Sequence, residues 1–191
     1  MSIQFLYSSC VPSRALNFYR GRYMKTKFVI LFLFLIMTFS ASGQSQEKIY
    51  SLLIMNFAKG IQWPGNSGNK FVIGVLEYPP LVAELKNATA SASINGKNIE
   101  IREFDRAENV QNCQILFIPA YKSKNLPLVL NKFPNDPTLI VSNKMDFARQ
   151  GGGINFVLMD GKLKYEINCK SIEKRGMKIS SNVKGMGIVL E

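Results

Sequence analysis

Between Glu47 and Ile179 short apolar runs take turns with segments of helical spacing. This alternation limits the fold more than any single motif does. Glu47–Ile61 puts Ile49, Leu52, Leu53, Phe57 and Ile61 at helical spacing, while Tyr50, Ile54, Met55 and Ala58 fill the other faces. A helix apolar nearly all round is buried on more than one side, either centrally or in an interface with another chain. Pro64 disfavours helix in the residues before it, so the segment ends at Trp63-Pro64-Gly65. Lys70–Glu77 reads as a strand, with Gly74 implying a close neighbour or a bulge. Pro79-Pro80 opens a helix to about Ser91. In Ile94–Phe104 an Asn95-Gly96 turn leads into a half-exposed strand that alternates Ile99 and Ile101 with charge. Gln114–Pro119 and Thr138–Ser142 are short, fully apolar strands separated by a helix over Ser123–Phe133. Ile154–Met159 and Leu163–Asn168 flank Asp160-Gly161, a strong hairpin signal. A last helix, Lys170–Arg175, stops at Gly176, and Met177–Ile179 and a tail follow. Strands alternating with helices predict an α/β single domain: a mixed β-sheet with helices on both faces and a C-terminal β-hairpin in the sheet.

Ahead of this unit lies Phe28–Phe39 (FVILFLFLIMTF), an unbroken apolar run preceded by Lys25 and Lys27. Ala41 and Gly43 follow as a small-x-small pair. A basic start, an apolar core of this length and small residues at the exit make a secretory signal peptide over 24–43. A membrane span needs about 20 apolar residues, more than this run supplies. Residues 1–23 precede Met24, which reads as the natural start; they are expected to be a mis-called extension. The working domain is then 44–191, outside the cytoplasm.

Cleavage changes the charge. Arg14, Arg20, Arg22, Lys25 and Lys27 are five of the 24 basic residues, and none of the 13 acids lies there, so +11 falls to +6. The remaining lysines are scattered, unlike a nucleic-acid footprint, which gathers them on one element. Cys10 leaves with the leader. Cys113 and Cys169 remain, and in an oxidising compartment they either pair or stand as small buried groups.

Candidate chemistry is sparse. The chain has 0 histidines, which excludes Ser-His-Asp and Cys-His nucleophile systems. Two cysteines without a CxxC pair give no zinc motif, and no metal or cofactor is expected. Glu166, in an apolar strand between Tyr165 and Ile167, is the most interesting carboxylate, although strand alternation also puts it on the solvent face near Lys162 and Lys164. Gly151-Gly152-Gly153 looks like a phosphate cradle but lacks the GxxxxGK[ST] spacing and precedes a strand. Trp63 either stacks on a ligand or plugs the core edge. A ligand-binding reading would use Asn56, Trp63, Gly152 and Glu166. A contact reading would use Tyr50, Ile54 and Met55 as a partner or dimer surface. No enzyme is predicted.

Three segments carry a family likeness: Ser51–Pro64 (SLLIMNFAKGIQWP), Asn112–Pro119 (NCQILFIP), and Thr138–Ser181 with LIVSN, FARQGGGINFVLMDGKLKYEIN and GMKISS. Together they resemble the YfiR family of small bacterial periplasmic proteins. The resemblance implies an exported α/β domain, usually a homodimer, that binds the periplasmic part of an inner-membrane sensor. That sensor is a diguanylate cyclase or a histidine kinase, which the domain represses. An outer-membrane lipoprotein that sequesters the repressor is a further implied partner; cyclic-di-GMP signalling and biofilm formation are the implied outputs. Cys169 departs from the family's usual apolar residue, so its disulfide pattern does not carry over. The tail NVKGMGIVLE has two glycines where the family tends toward a Leu-rich helix. The alternative function is a periplasmic small-molecule sensor module.

Overall fold

A computed structural model describes residues 45–65 and 68–191. The extension 1–23 and the leader 24–43 lie outside the described residues. Helix α1 is Gln46–Gly60, begun by Ser45, whose side chain accepts from Lys48 N–H. Then come β1 (Ile61–Gln62), β2 (Lys70–Leu76), α2 (Pro79–Thr89), β3 (Ser93–Ile94), β4 (Lys97–Phe104) and β5 (Ile115–Ile118). A 3₁₀ turn, Ala120–Asn125, leads into α3 (Leu126–Lys132), so the helix expected over Ser123–Phe133 starts later, at the Pro127 turn. β6 (Leu139–Ser142), β7 (Ile154–Met159), β8 (Lys162–Ile167), α4 (Cys169–Lys174), β9 (Lys178–Ile179), α5 (Ser181–Met186) and β10 (Ile188–Val189) complete the chain.

Eight strands form one mixed sheet in the order β10-β8-β7-β6-β5-β2-β4-β3. Five adjacent strands, β4 to β7, run parallel; β3 pairs antiparallel to β4 and β8 antiparallel to β7, while β10 lies parallel to β8. Asp160 and Gly161 turn β7 into β8 with φ of 52° and 70°, and Asn95 and Gly96 turn β3 into β4 at 50° and 75°. Both are the positive-φ pairs that match strand twist. A second, two-stranded sheet joins β1 to β9. The tail also orders: α5 stops at Gly187, where a Cβ would come within 2.4 Å of the Tyr165 ring. That close approach lets β10 reach its place beside β8.

Alternate strand residues feed two cores. One face of the sheet, with Ile73, Ile115, Phe117, Val141, Phe156, Tyr165 and Ile167, packs under α1 and α2. The other, with Val72, Leu116, Ile118 and Ile140, packs under α3, Ala107–Val110 and Phe147. Gly74 has the close neighbour it implies, for a Cβ would meet Phe104 at 2.7 Å.

Helix α1 is central, and this corrects the surface expected of it. Tyr50, Ile54 and Met55 are 2%, 0% and 7% exposed. They do not form a partner surface, because they are buried in this domain's own core. Tyr50 stacks on Phe156 at 4.5 Å between centroids, and Phe57 meets Tyr165 edge-on at 4.9 Å. Of α1's larger apolar side chains, Leu52 is the exposed one. Tyr50→Ala should therefore lower unfolding stability by about 3–5 kcal/mol. Leu52→Ala should change it by less than about 0.5 kcal/mol, both read by urea denaturation.

The two cysteines lie against opposite faces of the sheet, Cys113 in one core and Cys169 beside the other. Both are free, so the disulfide considered between them does not form. Burial pushes the Cys113 thiol up to about 12. In a thiol titration of folded protein Cys169 should react, and Cys113 only after denaturant is added.

Candidate functional site

The chain builds β2, crosses to β4 on one side, and returns across β2 to place β5 on the other. The crossover direction therefore reverses between β2 and β5. In open α/β sheets, the crevice at the carboxyl ends of two such strands is the usual place for a site. Here it receives Glu77 and Tyr78 from the end of β2, Ala120, Tyr121 and Lys122 from the end of β5, and Asn143 from the end of β6. The first turn of α1 adds Glu47.

These groups fill the crevice themselves. The Tyr78 hydroxyl donates to Glu47 Oε1 at 2.5 Å, and its ring lies over Phe117 at 5.9 Å. Tyr121 meets Tyr78 edge-on at 6.3 Å and donates its hydroxyl to the Glu77 carbonyl. Glu77 holds φ of 42°, a costly backbone for a residue with a Cβ. Three contacts fix it there: its N–H to Phe104 O at 2.8 Å, its carbonyl to Tyr121, and its carboxylate to Lys122 Nζ at 2.5 Å. Asn143 Oδ1 accepts from Ala120 N–H at 2.7 Å.

Burial raises the hydroxyl pKa of Tyr50, Tyr78 and Tyr121, and the Glu47 carboxylate raises Tyr78 further. Protonated tyrosines anchored in this way suit a fixed contact surface. Around the crevice the same rim carries exposed apolar groups: Tyr121, Met145, Leu158 and Met159, exposed by 62%, 67%, 68% and 43%. Leu158 and Met159 ride on an arm. β6 pairs with β7 only as far as Ser142–Asn155, and β10 pairs with β8 only at Glu166 and Ile167. The hairpin between, Phe156–Tyr165, thus runs past its neighbours with both edges unpaired.

The residues considered for ligand binding are not brought together. Asn56 borders a hollow between α1 and α5, with Lys59, Ser180 and Asn182. Trp63 lies at the other end of the strands, edge-on to Phe71 at 5.0 Å, with Nε1 donating to Gln114 O at 3.1 Å. It plugs the core edge there. At Gly152 a Cβ would sit 2.5 Å from the Phe147 ring and 2.9 Å from its carbonyl, and its N–H already donates to that carbonyl. The glycine run is a packing device. Glu166 Oε2 accepts from Asn155 Nδ2 at 2.9 Å, and Asn155 Oδ1 accepts from Ala148 N–H, which satisfies a wholly buried amide. Among the described residues no three His, Cys, Asp or Glu side chains group as a metal site, and no helix is long and apolar enough to cross a membrane.

Sequence reasoning passed over Glu47, Glu77, Tyr78, Tyr121, Lys122 and Asn143. Tyr78 and Tyr121 each follow a legible strand, but their meeting depends on the order of strands in the sheet.

Fold and rim define a small doubly wound α/β domain with an antiparallel arm. A solved structure from Vibrio cholerae O1 biovar El Tor, titled a conserved domain protein, has the same fold, with a TM-score of 0.51 at 13% identity. The match covers 77% of this chain and 60% of that one, so it spans less than two thirds of the Vibrio chain. No curated protein matches. The YfiR/HmsC-like family model matches residues 47–187, and the chain belongs to that family, which is regulatory rather than catalytic.

The raised tyrosines set a pH dependence. A hydroxyl whose folded pKa lies above its ordinary 10.0 stabilises fully below that pH and progressively less as pH climbs toward the raised value. Tyr78→Phe should cost about 1 kcal/mol at neutral pH through the lost hydrogen bond. It should also lose less stability than the wild type between neutral pH and pH 11, measured by denaturant midpoints.

Proposed function

We propose that this domain is an exported, periplasmic regulator that acts by contact. Its C-terminal rim docks on the periplasmic part of an inner-membrane sensor, a diguanylate cyclase or a histidine kinase, and holds it inactive. The observation that carries the reading is that Tyr121, Met145, Leu158 and Met159 all stand exposed at the carboxyl end of the parallel strands and on the arm beyond it. Exposed large apolar groups at one end of a domain suit an interaction surface. Lys144, Lys162 and Lys164 stand exposed in the same loop and arm and would suit an acidic partner. Membership of the YfiR/HmsC-like family supports a regulatory role, and the resemblance supports the choice of sensor, a homodimeric state and an outer-membrane lipoprotein as competitor. The leader over 24–43 supports export.

The test is capture from solubilised inner membranes with purified wild type and with Met145→Asp/Leu158→Asp, two exposed side chains. The wild type should recover a transmembrane sensor. The double variant should recover at most a tenth as much, a loss of about 1.4 kcal/mol or more, with its melting temperature unchanged. Equal recovery by both proteins would remove the rim from the account.

A further inference from the structure

We infer that the basic hollow around Arg175, at the opposite end of the strands from the rim, binds a small organic oxyanion. The hollow is about 460 Å³, within the range of small-molecule sites. Arg175, Lys170, Lys174 and Ser171 line it from α4 and its end, and Leu130 and Pro134 supply an apolar wall. Glu191 is the one acidic residue among those that line it.

Arg175 carries the inference. It is 8% exposed, yet none of the ion pairs among the described residues includes it. Its Nη1 donates to the Thr138 carbonyl at 3.2 Å, which brings no opposing charge. Burial lowers its pKa, and the field of Asp136 only partly offsets this. Glu173, the acid on α4, is held by Lys184 at 3.2 Å. A largely buried cation with no carboxylate in ion-pair contact is costly, and the one hydrogen bond to Thr138 uses a single N–H of the guanidinium's five, so others are available to a ligand in the hollow it lines. Their fork fits two oxygens of one phosphate or carboxylate group. Lys170 and Lys174 add positive field, and the Leu130–Pro134 wall fits an apolar body. The surrounding frame is fixed: Ser171 Oγ donates to Gly151 O at 2.8 Å, and Asn168 Oδ1 accepts from Ser171 N–H at 2.9 Å.

The test uses purified protein titrated with phenyl phosphate, benzoate and inorganic phosphate at matched ionic strength. It is followed by calorimetry and by the amide resonances of Gly151 and Ser171. Phenyl phosphate or benzoate should bind, raise the melting temperature and shift both resonances; the tighter of the two identifies the head group as phosphate or carboxylate. Lys170→Met/Lys174→Met, which alters only exposed side chains, should weaken binding about tenfold or more without changing the unliganded melting temperature. Arg175→Lys should weaken it similarly, since one ammonium cannot reproduce the fork. No binding of either organic probe overturns the site, as does unchanged affinity in the lysine double variant. Inorganic phosphate binding as tightly as phenyl phosphate overturns the assignment to an organic ligand.

Discussion

The seating of α1 on the aromatic face of the sheet is the contact on which the rest of this structure depends. Tyr50, Ile54, Phe57 and Ala58 are all but fully buried there. Burying side chains of the larger apolar kind is worth about 1.5–3 kcal/mol each. The stack of Tyr50 on Phe156 and the edge contact of Phe57 with Tyr165 tie the helix to β7 and β8, strands far from it in sequence. One helix thereby holds the antiparallel hairpin against the parallel sheet. It also fixes where its own first turn lies, so that Glu47 reaches Tyr78.

Sheet order then decides where function can be. With β2 and β5 adjacent and the crossovers turning opposite ways from them, a crevice opens at their carboxyl ends. This chain closes it with Tyr78 and Tyr121 in place of a cavity. β6 stops at Ser142 while β7 continues to Met159, and that difference in length leaves the arm standing clear. A lone two-stranded hairpin is marginal in water. Phe156 and Tyr165, packed under α1, steady its base and leave Leu158 and Met159 for a partner. The hollow at Arg175 lies at the other end, so occupancy of one need not block the other.

Much of the fold was legible, because periodicity and turn chemistry are local. Asp160-Gly161 specified its hairpin and Gly74 its close neighbour, while the doubly apolar α1 left a central place and an interface both open. What α1 meets was not legible: the pattern of Tyr50, Ile54 and Met55 fits a partner's surface as well as the domain's own sheet, and only packing decides. The short pairs β1–β9 and β8–β10 escaped because two-residue strands carry no periodicity. The rim escaped for a different reason. Glu47, Glu77 and Tyr121 lie far apart in sequence and meet through strand order, which no local pattern encodes. Arg175 reads as one more helix-end cation until the structure shows it largely buried and outside every ion pair among the described residues.

The central claim is that the rim touches a membrane sensor, and photo-cross-linking in living cells tests it most directly. A photoreactive residue at Tyr121 should join the protein to a transmembrane protein with an extracytoplasmic domain. The same residue at exposed Lys86 on α2 should give no such product. Equal cross-linking from both positions, or none from Tyr121, would contradict the account.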